Sequence, residues 1–157
     1  MGVTLSKKSV KESIENYLKA LWVSTEKDQD LAQIKWIADH LKITPPSVVE
    51  MLKKLEKEKY VVYKLRRGVR LTDKGRKIAG RIVRNHRLME VMAKKVLHTG
   101  IDHESVCGIE HHMDKDFANA LCTLLDHPKR CPHGYPIPRG ECCPDITTKV
   151  RPTLLKP

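Results

Sequence analysis

Apolar side chains recur through the first part of the chain at helical rather than strand spacing. Val10, Ile14, Tyr17, Leu18, Leu21 and Trp22 follow Ser9-x-x-Glu12, a pair that reads as a capping box, and predict a first helix that stops before the polar stretch TEKDQD. Leu31, Ile34, Ile37, Ala38 and Leu41 predict a short second helix. The segment KITPPS then supplies prolines suited to a helix start, and Val48, Met51, Leu52 and Leu55 predict a third helix. In YVVYKLRRGVRL the period changes: two β-rich runs flank RRG, the pattern of a two-stranded hairpin. Thr72 next caps a long helix with Ile78, Ile82, Met89, Met92 and Val96 as its apolar stripe, ending near HTGID. HESVCGIEHHMD predicts another helix, and Phe117, Leu121, Leu124 and Leu125 a further one. The stretch CPHGYPIPRGECCP has no period and reads as a loop.

Three helices followed by a basic hairpin, with a short second helix and a tight turn before the third, is the order of a winged helix-turn-helix. A plainer alternative is an α+β domain whose lysines are merely solvated. The tight spacing, and Lys64, Arg66, Arg67 and Arg70 on the hairpin, favour the DNA-reading fold. The expected architecture is mainly α. Residues 1–72 form a winged helix-turn-helix, 73–127 a helical dimerisation and metal-binding domain, and 128–157 a Cys/Pro-rich loop and tail. Three helices after the wing are too few to bury their apolar stripes alone, which predicts a homodimer.

Charge sharpens the expected partner. Lys and Arg outnumber Asp and Glu by 30 to 19, a formal net charge of +11 spread over both halves of the chain. That balance favours a polyanion, nucleic acid before membrane. No apolar run approaches the roughly 20 residues of a membrane span, and MGVTLSKKSVKE has no apolar signal core. A cytoplasmic location is expected, where the five cysteines would be reduced and serve as ligands or core residues rather than disulfides.

The candidate chemistry lies in the later helices. His103, Cys107 and His111 stand in steps of four, and Glu110 stands three after Cys107, so S, O and N donors share one helix face. His86 and Glu90 form a second pair on the preceding helix. One such pair is an ordinary surface feature; two on adjacent helices, with a cysteine added, point to metal. A metalloenzyme would also need an open metal position and a general base. Nothing else in the chain resembles catalytic apparatus, so neither enzymatic activity nor a small-molecule substrate is expected. A redox sensor working through the cysteines is a further reading.

NHRLMEVMAKKVL followed by DHESVCGIEHHMD, after a winged helix, resembles the diphtheria-toxin-repressor or iron-dependent-regulator family of metal-activated repressors. GIEHHM also resembles that family's manganese-regulator branch. The likeness spans about residues 10 to 138 and rests on H-x-x-x-E followed by H-x-x-x-C-x-x-E-H. It implies an ancillary site of His86, Glu90 and His103. It also implies a regulatory site of Cys107, Glu110 and His111 with Asn16 from the first helix, Glu12 and Glu15 standing nearby as substitutes. Iron-type members place Met at the Asn16 position and manganese-type members Asp. The manganese branch has carboxylates where this chain has Cys107 and Lys19. A soft thiolate suits Fe(II), Co(II), Ni(II) or Zn(II) better than Mn(II). The expected cofactor is Fe(II), and the expected function is a dimeric repressor that binds double-stranded operator DNA when iron-loaded and controls metal-homeostasis genes. A manganese- or zinc-responsive regulator on the same scaffold is the alternative.

On the third helix, Thr44, Ser47 and Glu50 are candidates to face bases and phosphates, and Pro46 can touch a thymine methyl. Lys64, Arg66, Arg67 and Arg70 are expected to track phosphates. CPHGYPIP resembles a loop common in the family, and ECCP is additional. Cys131, His133, Cys142 and Cys143 can be read as a structural zinc site or, more plainly, as free thiols; Cys122 reads as a core residue. Iron-type members usually carry a further small barrel domain, for which a chain stopping at Pro157 is expected to have no room.

Overall fold

A computed structural model describes residues 7–26, 31–64, 66–100 and 103–144, with the side chains of residues 7–9, 103–105 and 107 outside that description. The elements run α1 (Lys7–Thr25), α2 (Ile34–Leu41), α3 (Pro45–Lys57), β1 (Val61–Lys64), β2 (Gly68–Leu71), α4 (Asp73–Lys95), α5 (His103–Glu110) and α6 (Lys115–Leu124). The chain is mostly helical, with the hairpin as its wing. α1 begins two residues before Ser9, so the expected capping box lies inside the first turn; Lys7 and Lys8 are good helix formers and extend it. Thr44 caps α3 by accepting the Ser47 N–H, and Pro45 and Pro46 fill the positions where a missing N–H costs nothing.

β1 and β2 pair antiparallel, Val61 opposite Leu71 and Lys64 opposite Gly68. Ala32 adds a bridge to Val69 through reciprocal backbone bonds of 2.9 and 3.0 Å. Leu31 therefore precedes α2 rather than opening it. Gly68 (φ 118°) lies so close to this segment that a Cβ would sit 2.7 Å from the Ala32 carbonyl oxygen.

Two apolar cores result. Leu18, Leu21, Ile37, Val48, Leu52, Leu55, Val61 and Val69 fill the first, and Leu88, Val91, Met113, Leu121, Cys122, Cys131 and Ile137 the second. α4 packs along α1 and reaches both cores. Its buried face differs from the expected stripe. Val96 is exposed and Ile78, Met89 and Met92 only half-buried, while Arg84, Asn85, Arg87 and Glu90 are buried. The helix is covered both by α1 and by the loop after α6, so its interior includes groups that fasten neighbouring elements. Arg87 donates to Glu26 (2.5 and 2.8 Å) and to the Pro136 carbonyl (2.5 Å).

α6 is likewise rotated from its expected face. Ala118, Leu121, Cys122 and Leu125 are buried, while Phe117 and Leu124 are 55% and 71% exposed. α5 is shorter than the three turns expected, with His111 and His112 in the turn that follows. The loop from 128 to 144 is anchored by a bridge between Arg130 and Pro136 and by buried Cys131 and Ile137. No helix of the described residues is long and apolar enough to cross a membrane.

Candidate metal centre

Glu110, the last residue of α5, has a fully buried side chain and organises the site. Its Oε2 receives His86 Nδ1 of α4 at 2.5 Å, and its Oε1 receives Lys19 Nζ of α1 at 2.5 Å. Asn85 Nδ2 donates to the carbonyls of Glu110 (3.0 Å) and Met113 (3.1 Å), which pins the end of α5 to α4. The next residue, His111, reaches across to α1. Its Nδ1 donates to Glu15 Oε2 at 2.8 Å, and its Nε2 lies 3.1 Å from Asn16 Oδ1 and 3.5 Å from Glu110 Oε1.

Asn16, which the resemblance implied as a ligand, lies beside His111. Glu15 is the closer partner of His111, while Glu12 faces His112 at 3.7 Å. Glu15 also receives Arg81 at 2.5 Å. The side chains of His103 and Cys107 lie outside the described residues, and only their positions along α5 are fixed.

A second group adjoins the first. Glu90 Oε1 lies 3.3 Å from His86 Nε2 and 3.2 Å from His133 Nδ1, and Glu90, Cys131 and His133 present donor atoms within 4.8 Å of one another. His86 thus touches both groups, where the sequence-derived scheme gave it to the ancillary set alone. Of the four residues read as a structural zinc site or as free thiols, Cys131 and His133 gather at Glu90, and Cys142 and Cys143 at Cys122 and His127. A loop without periodicity carries no signal of where it folds back, so no spacing could have shown this. Asn16, Lys19, His86, Glu90, Cys131 and His133 line one cleft of about 540 Å³.

The electrostatics follow from these pairings. Burial pushes the Glu15 carboxyl up, but the His111 hydrogen bond and the Arg81 charge outweigh it and hold the group below its ordinary range. Burial pulls the His86 imidazole down, but its hydrogen bonds to Glu110 and Glu90 prevail and raise it above its ordinary 6.5. Glu90 is pushed up by burial and held low by His86 and His133. In this arrangement the carboxylates of Glu15, Glu90 and Glu110 face inward toward imidazoles and the Lys19 ammonium. Imidazole, carboxylate and thiol donors converging around that charge fit a divalent cation.

The proposed DNA-facing residues lie on α3 and on the wing. Thr44, Pro46, Ser47 and Glu50 on α3 and Lys64, Arg66, Arg67 and Arg70 on the wing are all exposed. Thr44 Oγ1 lies 2.9 Å from Ser47 Oγ, and Glu50 pairs with Lys54 at 2.8 Å. Asn16 also lines a groove with Ser47, Glu50 and Lys54, so α1 stands between the metal centre and α3.

A winged helix joined to a helical unit with clustered imidazoles and carboxylates defines a metal-responsive DNA-binding protein, and comparison with known proteins agrees. Residues 9–69 match the profile described as iron dependent repressor, N-terminal DNA binding domain, and residues 72–139 that of iron dependent repressor, metal binding and dimerisation domain. The HTH-type transcriptional regulator MntR of Geobacillus kaustophilus (strain HTA426) is 37% identical over 119 residues, 73% of this chain and 82% of the relative. Among solved structures, the manganese regulator SloR shares 37% identity (TM-score 0.70) and ScaR with bound zinc 38% (TM-score 0.63). Each alignment covers 80% of this chain and 59% of the other, so this chain spans less than two thirds of their length. The chain belongs to the diphtheria-toxin-repressor family of metal-dependent transcriptional repressors, DNA-binding regulators rather than enzymes.

Proposed function

We propose that this chain is a dimeric, cytoplasmic repressor whose affinity for double-stranded operator DNA is set by a divalent metal of the manganese or zinc class. The observation that carries the reading is the contact of His111 with Glu15 and Asn16, which joins the turn after α5 to the first helix of the DNA-reading unit. A bound metal would supply a dication shared by donors from both elements. His86, Glu90, Glu110, His111 and Asn16, with Cys107 and His103 of α5 and Cys131 and His133 of the loop, are the residues proposed to hold it. The Lys19 ammonium and the His86 and His111 imidazoles hold the same carboxylates from separate elements. Donors on two elements favour only the arrangement in which they converge, and occupancy selects it from the ensemble. α1 also borders α3, so fixing α1 sets the pose of the recognition helix and, in a dimer, the spacing of two such helices on successive major grooves.

The expectation of ferrous iron finds less support than its alternative. SloR is a manganese regulator, and ScaR, a manganese-activated repressor, also holds zinc. Cys107 and Lys19, where the manganese branch carries carboxylates, keep a softer ion as the second reading, and zinc satisfies both considerations. DNA binding titrated against each divalent metal under anaerobic, reducing conditions tests the choice. Activation by Mn(II) or Zn(II) at the lowest free concentration supports this reading. Activation by Fe(II) at a lower one returns the choice to iron.

A further inference from the structure

A second cluster of sulfur and nitrogen donors shares no residue with that centre. Cys122, buried on α6, and His127, just beyond it, meet Cys142 and Cys143 at the end of the loop. The Cys122 sulfur lies 3.6 Å from His127 Nδ1 and 3.8 Å from the Cys143 sulfur, and the donor atoms of all four lie within 4.8 Å of one another. A disulfide would bring two sulfurs to about 2.05 Å, and these cysteines are free thiols. A tetrahedral zinc ion, bonded at about 2.3 Å to sulfur and about 2.0–2.1 Å to nitrogen, sets its ligands about 3.8 Å apart for S–S and about 3.6 Å for S–N. We propose that Cys122, His127, Cys142 and Cys143 hold a structural zinc ion in a Cys₃His site that clamps the loop to α6 and α4.

The surrounding chain is shaped for such a site. Asp126 (φ 59°) and His127 (φ 48°) are consecutive left-handed residues, a conformation that is costly for side chains with a Cβ. The His127 N–H returns to the Cys122 carbonyl at 2.9 Å, so the turn brings the imidazole back to the sulfur. Arg84, buried on α4, donates through one terminal nitrogen to the Cys142 sulfur at 3.1 Å, while its Nε finds no partner among the described residues. Gly140 permits this approach, since a Cβ there would fall 2.5 Å from the same guanidinium nitrogen. Three thiolates on a dication leave one negative charge, which Arg84 matches, and an S₃N tetrahedron selects zinc over harder ions. Binding releases the three thiol protons to solvent. The same loop carries Cys131 and His133 to Glu90, so the clamp holds in place the strand of chain that reaches the sensing centre, whichever metal is sensed there.

The test uses the full chain purified with reduced thiols. After exhaustive dialysis against EDTA, inductively coupled plasma mass spectrometry is expected to find one retained zinc per chain, and zinc near zero overturns the proposal. In the Cys107→Ser/Cys131→Ser protein, Cys122, Cys142 and Cys143 are the only cysteines left. Loaded with Co(II), it should show thiolate-to-cobalt charge transfer and the intense visible bands of a tetrahedral ion. Their absence overturns the proposal, as does their persistence after Cys142→Ser/Cys143→Ser is added.

Discussion

Lys19 is the residue that most changes the chemistry of the centre. Its ammonium lies 2.5 Å from Glu110 Oε1, and the paired side chains are 17% and 0% exposed, so the interaction is little screened by water. A cation entering there competes with one the protein already supplies. Lys19→Met removes the competitor and keeps the apolar stem, and the free-metal concentration for half-maximal operator binding is expected to fall roughly tenfold, about 1.4 kcal/mol. Fluorescence anisotropy titrations of the variant beside the wild type measure this; an unchanged or raised midpoint would show that Lys19 supports metal binding rather than opposing it. The pair His86 and Glu90 was legible from helical spacing, whereas His111 reaches α1 from the turn after α5, where helical spacing no longer applies. Glu15 was only a bystander to Asn16, since neighbours on a helix differ by about 100° and spacing alone does not say which of them faces His111. The partner of Cys131 and His133, Glu90, was not legible because a loop has no period from which to read a direction.

At the scale of elements, the winged helix was the readable part. Its helices bury most of the residues their periodicity selects, Val48, Leu52 and Leu55 on α3 among them, though Val10 at the start of α1 stays exposed, and its hairpin turns at Arg66 and Arg67. α4 and α6 were harder. A helix covered from two sides has no single apolar stripe, so Arg84, Asn85 and Arg87 are buried through their bonds while Val96 stays outside. The wing is the element whose prediction is most separable. Arg67 is exposed on the wing. Arg67→Ala is expected to weaken binding to all DNA sequences alike and to reduce the salt slope by about one unit, with the metal midpoint unchanged. Filter binding across a salt series reads the slope, and a loss confined to one operator sequence would mean that Arg67 reads bases instead.

In the whole molecule, Val96, Leu97, Ile109, Phe117 and Leu124 remain exposed beyond α4 and on α5 and α6. Phe117 and Leu124 are seven residues apart and share a helix face. Apolar residues gathered in the part of the chain that matches a dimerisation domain are the surface expected to meet a second copy. Phe117→Glu/Leu124→Glu should turn a dimer into a monomer at micromolar concentration in sedimentation velocity, with helicity by circular dichroism retained; a persisting dimer would place the interface elsewhere. In the proposed dimer, pairing would give the metal its leverage, since two recognition helices must be spaced together. The central claim is that donors shared between α1 and the helices after the wing make DNA affinity depend on metal, and operator binding by the wild type and by His111→Ala, each with activating metal and with chelator, tests it most directly. The wild type is expected to lose at least about tenfold in affinity on chelation, a coupling of about 1.4 kcal/mol or more. His111→Ala should bind weakly in both conditions. Equal affinity of the wild type with and without metal would contradict the account.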